Sequence, residues 1–378
     1  MADKKVRFCV FFSILVLLSA CNASVVKGQV DAFPPESSQR RDLVPAMFVF
    51  GDSLSDNGNN NNFLISFAKA NYFPYGIDFS EGPTGRFSNG LTMADVVGEL
   101  LGLPLIPPHT GSTVEQMRFG VNFASAAAGI LDITGKNFVT LIPFNDQINN
   151  FENTLDQIID GLGSSSPDVS DALARSIFFV AMGSNDYLNN YLMPNYVTRN
   201  QYNPQQFADL LIEEYGCQLT RLYRLGARKF VIAGVGPLGC IPSILAQGGG
   251  DGNMCVEEVN QLVVPFNGNT KAMINNLTNS LPDALFSFID IHKLVDDVLS
   301  NARSYGFSVV NRGCCGTGRN RGQITCLPFQ TPCPDRKKYV FWDAYHTTEA
   351  MNRVLAQKAF NGSTDFVYPV TIEQLANL

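Results

Sequence analysis

The chain has 378 residues, 45% of them hydrophobic and 16% charged, with a formal net charge of −7. That apolar content excludes a disordered chain, and the length suits one large α/β domain or two modest ones. Nucleic acid is excluded as the main partner, because phosphate binding needs clustered Lys and Arg on a basic face; the densest basic stretch, Arg312, Arg319 and Arg321 with Arg336, Lys337 and Lys338, reads as a solvated loop.

In chain order, Lys4, Lys5 and Arg7 precede an apolar run from Phe8 to Ala20, and small residues follow at Ala20, Ala23 and Ser24. This is the pattern of a secretory signal peptide, taken as residues 1–25. The run is too short for a membrane span, and no later segment reaches spanning length without charges, Gly or Pro. The mature chain is therefore expected to lack a transmembrane segment. Residues 26–42 are polar, with Pro34 and Pro35, and read as a flexible arm. One domain is expected over 43–375.

Five short apolar runs read as strands buried on both faces: Ala46–Gly51, Gly120–Ala124, Ile177–Met182, Lys229–Ala233 and Leu285–Ile289. Between and after them lie helix-like segments: Leu91–Leu101, Pro143–Ile159, Pro204–Leu225, Val256–Leu277 and Thr348–Phe360. Pro265 should kink the fourth. Strands alternating with helices imply a parallel sheet covered on both sides.

Nine cysteines are present, and removing Cys9 and Cys21 with the leader leaves seven. In an oxidising compartment most should pair. Cys240 and Cys255 bracket a Gly-rich loop. Cys314, Cys315, Cys326 and Cys333 crowd into one segment that could form one or two bridges. Its spacing does not suit zinc, and no His stands nearby. Cys217, on a helix-like stretch, is expected to be a buried free thiol. Sequons at Asn276 and Asn361 mark glycosylation sites.

Only three histidines exist: His109, His292 and His346. His346 stands three residues after Asp343, a spacing that lets the carboxylate fold back onto one ring nitrogen and leaves the other free as a base. Alone, such a pair is as readily structural. Ser53 follows the first apolar run directly, at the carboxyl end of a strand, where α/β sheets bind ligands. A helix N-cap serine would look the same. Gly183-Ser184-Asn185-Asp186 follows the Ile177–Met182 run, and the Asn185 amide there can donate to an oxyanion or simply belong to a turn. Small residues over Asn122–Gly129 permit close backbone approach, which offers the Gly129 N–H as a second donor.

Together these blocks resemble the GDSL-type esterase/lipase family, also called SGNH hydrolases, and its plant secreted branch in particular. The matching stretches are Gly51–Asn60, Asn122–Gly129, Gly183–Asp186 and Asp343–His346, with Pro83–Gly90, Gly236–Cys240 and Cys314–Gly318. The resemblance implies a three-layer α/β/α sandwich with a mainly parallel five-stranded sheet, flavodoxin-like in plan. It implies Ser53 as nucleophile, His346 as base and Asp343 as its orienter. The oxyanion hole would be the Ser53 and Gly129 backbone N–H groups with the Asn185 side chain. No metal or cofactor is called for. The chain departs from the family at Ala126 and Ala127, where glycine is usual, and at Thr347, where proline is.

The expected function is hydrolysis of small-molecule, lipid-linked or polysaccharide-linked carboxylic esters in the extracellular space, the apoplast or cell wall if the source is a plant. An acyltransferase passing the acyl group to a sugar or polyol would use the same residues. A non-catalytic secreted binding protein would be expected to have lost Ser53, Asn185 or His346. Phe63, Phe67, Tyr72, Phe73, Tyr75 and Phe79 form an aromatic stretch that reads as core or as an acyl pocket. Asp56 and Arg86 read as structural contacts.

Overall fold

The computed structural model describes residues 43–162, 166–248 and 254–378. The expected leader and arm lie outside the described residues. Four of the apolar runs become strands: β1 (Met47–Gly51), β2 (Ile177–Ala181), β3 (Lys229–Ala233) and β4 (Leu285–Ile289). They lie side by side in chain order, all parallel, with Phe50, Val180, Ile232 and Phe288 in one row across the sheet. A separate parallel pair, β5 (Val309–Gly313) and β6 (Tyr339–Phe341), stands apart from them. The short β7 (Val367–Tyr368) closes the main sheet antiparallel to β4.

The strand expected over Gly120–Ala124 does not form as a regular strand. The segment does run beside β1: the Val49 N–H donates to the Val121 carbonyl at 3.0 Å, and the Phe123 N–H to the Val49 carbonyl at 2.7 Å. The Gly51 N–H, which would make the next rung, donates instead to Gln147 Oε1 at 3.1 Å, and the Ser125 N–H reaches the Gly51 carbonyl at 3.0 Å; between them Asn122 bends the segment. Its side-chain oxygen accepts the Ala124 N–H at 2.9 Å, and its amide donates to the Ser55 carbonyl at 2.7 Å. An Asn that bonds its own backbone two residues on turns the chain. The fifth place in the sheet goes to β7.

Along each strand the side chains alternate between faces, and both faces are buried. Phe48, Phe50, Phe178, Phe230 and Phe286 belong to one core, filled from above by the helices Phe144–Leu162, Pro204–Arg224 and Glu257–Ser280. Met47, Val49, Ile177, Val231 and Ile289 belong to a second, covered by the helices Met93–Leu100, Ile291–Ser300, Glu349–Asn361 and Ile372–Asn377. One face is aromatic and the other mainly aliphatic. Each fully buried side chain of this size contributes ~1.5–3 kcal/mol of transfer free energy.

The helices keep to their expected places within a few residues. Pro204–Arg224 begins with a capping box, in which the Asn203 side chain accepts the Gln206 N–H and the Gln206 side chain accepts the Asn203 N–H. Glu257–Ser280 runs on through Pro265. Three disulfides form among the described residues, Cys240–Cys255, Cys314–Cys333 and Cys315–Cys326. Cys217 is free, but it is exposed and not buried. Its helix turns Tyr215, Gln218, Leu219 and Leu222 inward, and position 217 falls on the opposite face. No helix among the described residues is long and apolar enough to cross a membrane.

Candidate functional site

The carboxyl end of β1 carries the first block. A Cβ on Gly51 would lie 3.0 Å from the Ala181 carbonyl oxygen and 3.1 Å from the Ser55 Cβ, so glycine lets the turn fold back against β2 without crowding. The Asp52 carbonyl accepts the Ser55 N–H at 3.0 Å and the Asp56 N–H at 2.8 Å. That turn leaves Ser53 half-exposed at its apex while Asp52 and Ser55 are buried.

Buried polar groups hold the turn from below. Asp56 accepts the N–H groups of Gly58 (2.8 Å), Asn59 (2.9 Å) and Ala126 (2.9 Å). The Asn59 amide donates to the Asn122 and Ala124 carbonyls, both at 2.8 Å. The Ser125 hydroxyl donates to Asn60 Oδ1 at 2.6 Å. Thus the first and second blocks are one network. Arg86 forms a two-pronged pair with Asp95, both bonds at 2.8 Å, and lies away from the reacting atoms.

The fourth block comes from a turn after β6. Asp343 Oδ1 accepts the N–H groups of Tyr345 and His346, each at 2.8 Å, and the Trp342 N–H donates to the His346 carbonyl at 2.7 Å. The ring stands over the same carboxylate, with Nδ1 2.8 Å from Oδ2. His346 Nε2 lies 2.8 Å from Ser53 Oγ. An ionised carboxylate can only accept, so Nδ1 carries the proton and Nε2 is left to accept from the serine hydroxyl. Burial pushes the Asp343 pKa up, but His346 and the donors from Tyr75 and Tyr345 outweigh it and hold the group below the usual carboxylate range.

Three residues around this pair were not singled out as partners of the histidine. The buried Tyr75 hydroxyl donates to Asp343 Oδ2. The Phe87 ring lies 4.8 Å from the imidazole. Asn189 donates to Asn185 Oδ1 and fixes which way that amide points. Tyr75 sits in the aromatic stretch, and Phe87 in the Pro83–Gly90 block. Nothing local ties Tyr75 to a carboxylate 268 positions away.

Asn185 reaches the cavity from the turn after β2. Its amide donates to the Ala128 carbonyl at 3.0 Å and to Asp52 Oδ2 at 3.2 Å. Gly129, expected as a backbone donor, does not line the cavity, whereas Ala126 and Ala127 do. A Cβ on Gly129 would lie 2.6 Å from Asp186 Oδ1, so the glycine lets the Asp186 carboxylate approach the backbone. That carboxylate then accepts the Ile130 and Leu131 N–H groups and the Thr134 hydroxyl. Ala127 takes the left-handed conformation instead, at φ 69°. Burial raises the pKa of Asp52, Asp56 and Asp186 to about 6 each.

Neither other histidine joins the site. His109 packs on Phe123, and His292 pairs with Asp296 at 3.0 Å. The cysteines of the 314–333 segment are all in disulfides. Asn276 and Asn361 are exposed. Ser53, His346 and Asn185 share a cavity of about 220 Å³ with mostly apolar walls.

The family described as "GDSL-like Lipase/Acylhydrolase" matches residues 47–359. A GDSL esterase/lipase of Arabidopsis thaliana is 58% identical over 98% of both chains. A second from the same plant is 48% identical over 96% of each, and its GDSL esterase/lipase 7 is 47% identical over 91% of this chain and 95% of its own.

Proposed function

Because this chain belongs to the GDSL-like lipase/acylhydrolase family, we propose that it is a secreted hydrolase of carboxylic esters working through an acyl-enzyme on Ser53. The observation that carries this reading is the series Ser53 Oγ, His346 Nε2 and Asp343, each hydrogen-bonded to the next and opening on an apolar cavity.

His346 Nε2 takes the hydroxyl proton as Ser53 Oγ attacks the ester carbonyl. Asp343 keeps Nδ1 protonated and stabilises the imidazolium that forms. The oxyanion draws on the Ser53 N–H, the Asn185 amide and the Ala127 N–H, which takes the role first given to Gly129. Of the two Asn185 contacts, the longer, to Asp52, is the one an oxyanion displaces. The imidazolium then protonates the leaving alcohol, and water, deprotonated by the same nitrogen, releases the acid.

The leader would deliver the chain to an oxidising compartment, where three disulfides are at home. Asn276 and Asn361 would take glycans there.

The test is Ser53→Ala, assayed with p-nitrophenyl butyrate and a fluorophosphonate probe. Hydrolysis is expected to fall at least ~10⁴-fold, and labelling to vanish, with the unfolding midpoint unchanged. A variant that still hydrolyses the ester, or a wild type that never reacts with the probe, ends the assignment.

A further inference from the structure

The residues that line the cavity with Ser53 fall into two unlike sets, here a buried arm and an outer arm. One passes beneath the carboxyl ends of β2 and β3 into the aliphatic core, where Met93, Phe179, Ile241, Val295, Phe341 and Leu355 line it. All six are buried hydrocarbon, at most 9% exposed. The other arm opens outward past the exposed Phe67, with Lys69, the Tyr72 side chain and Asn189 on its wall.

Thr347 and Asn352, which also line the cavity, are hydrogen-bonded to each other, and Asn352 to the Leu91 carbonyl. This wall therefore favours a hydrocarbon, because a hydroxyl or amide entering it would lose hydrogen bonds to water. The outer arm can pair with polar groups. Resting on the hydrolase reading, we propose that the buried arm is the acyl-chain site, that the outer arm holds the alcohol, and that Val295 and Ile291 limit acyl length to a medium chain. Both side chains project into the arm from the first turns of one helix, Ile291–Ser300. A dry apolar cavity of about 150 Å³ holds the six carbons of benzene. On that scale the whole cavity, both arms together at about 220 Å³, takes roughly nine carbons, so the buried arm alone takes fewer. A long fatty chain exceeds that, and an acetyl group leaves most of it empty.

The experiment is an acyl series of p-nitrophenyl esters from C2 to C16, run on the wild type and on Val295→Phe, Ile291→Phe and Val295→Ala. For the wild type, kcat/KM should rise up to about fourfold per added methylene, the factor given by ~0.8 kcal/mol per buried CH₂, peak between about C4 and C8, and fall by C16. Either Phe variant should lower the C8-to-C2 ratio at least tenfold, and Val295→Ala should move the peak to longer chains. Unfolding midpoints check that each variant is folded. Ratios that stay at the wild-type value in folded variants overturn the assignment of the arm alone. So does a change that follows the length of the alcohol in a matched alkyl series and not the acyl chain. A wild type inert on every ester overturns the hydrolase reading, and the arm falls with it.

Discussion

The turn that carries Ser53 and the turn that carries His346 are held by different means. The serine turn rests on buried hydrogen bonds: Asp56, Asn59 and Asn60 bind the backbone of the second block, and Asn122 binds back to Ser55. The histidine turn rests on covalent and backbone ties to one neighbouring segment. Cys314 and Cys315 donate their N–H groups to the Phe341 and Trp342 carbonyls, and both cysteines are cross-linked onward, to Cys333 and Cys326. The difference follows from place. The serine turn lies at the end of β1, a strand buried along its whole length, where burial makes every satisfied polar group rigid. The histidine turn leaves a three-residue strand outside the main sheet; Val340, Phe341 and Trp342 are buried there, and the cross-links of the neighbouring segment add covalent order.

The two turns should therefore fail differently. The largest effect is expected from Asp343→Asn, which removes the acceptor for the Nδ1 proton: kcat should fall ~10³–10⁴-fold while the chain stays folded. Asn185→Ala comes next, with kcat ~10²–10³-fold lower and KM little changed, the signature of a donor used only in the transition state. If KM rises with kcat constant, Asn185 binds ground-state ester and is not an oxyanion donor.

Asp56→Ala tests the polar support of the serine turn. It leaves three buried N–H groups without their acceptor and should cost ~2–4 kcal/mol in denaturant unfolding. Cys315→Ser with Cys326→Ser tests the other support. Opening that short loop should cost ~2–3 kcal/mol and speed thermal inactivation. If removing the disulfide cost more than removing Asp56, the contrast drawn above would be reversed.

The smallest effect is in pH. The folded pKa of Asp52, Asp56 and Asp186 is about 6, above the ordinary 3.8. The folded form thus holds their protons more tightly than the unfolded chain does, and their contribution to stability falls as pH rises from about 4 to 6. Asp343 and Asp95 are shifted the other way, by the His346 imidazole and the Arg86 guanidinium, each against an opposing effect of burial. What they contribute is complete above pH ~4 and lost on further acidification. Denaturation midpoints between pH 4 and 6 should decline less steeply in Asp56→Asn than in the wild type. A parallel decline would show that this carboxyl is not shifted.

The sequence by itself determined the elements and the chemistry's raw material. β3 and β4 fall on the residues expected, because continuous apolar runs between Gly and polar turns have few other uses. Ser53, Asn185, Asp343 and His346 could be singled out as candidates because each block keeps its spacing within a few residues, and a turn is a local object. Tertiary structure decided what depends on distant partners. Gly120–Ala124 is as apolar as a strand, but its ladder with β1 is interrupted where the Gly51 N–H turns to the Gln147 side chain, 96 positions away. β7 is only two residues long, and it is a strand because β4 offers it an open edge. Gly129 looked like a donor because glycine permits close approach. What approaches it is the Asp186 carboxylate, and the cavity wall goes to Ala126 and Ala127. Cys217 lies on the outer side of its helix for the same reason. Which face meets the sheet is set by packing, and a residue's type says only which face would suit it.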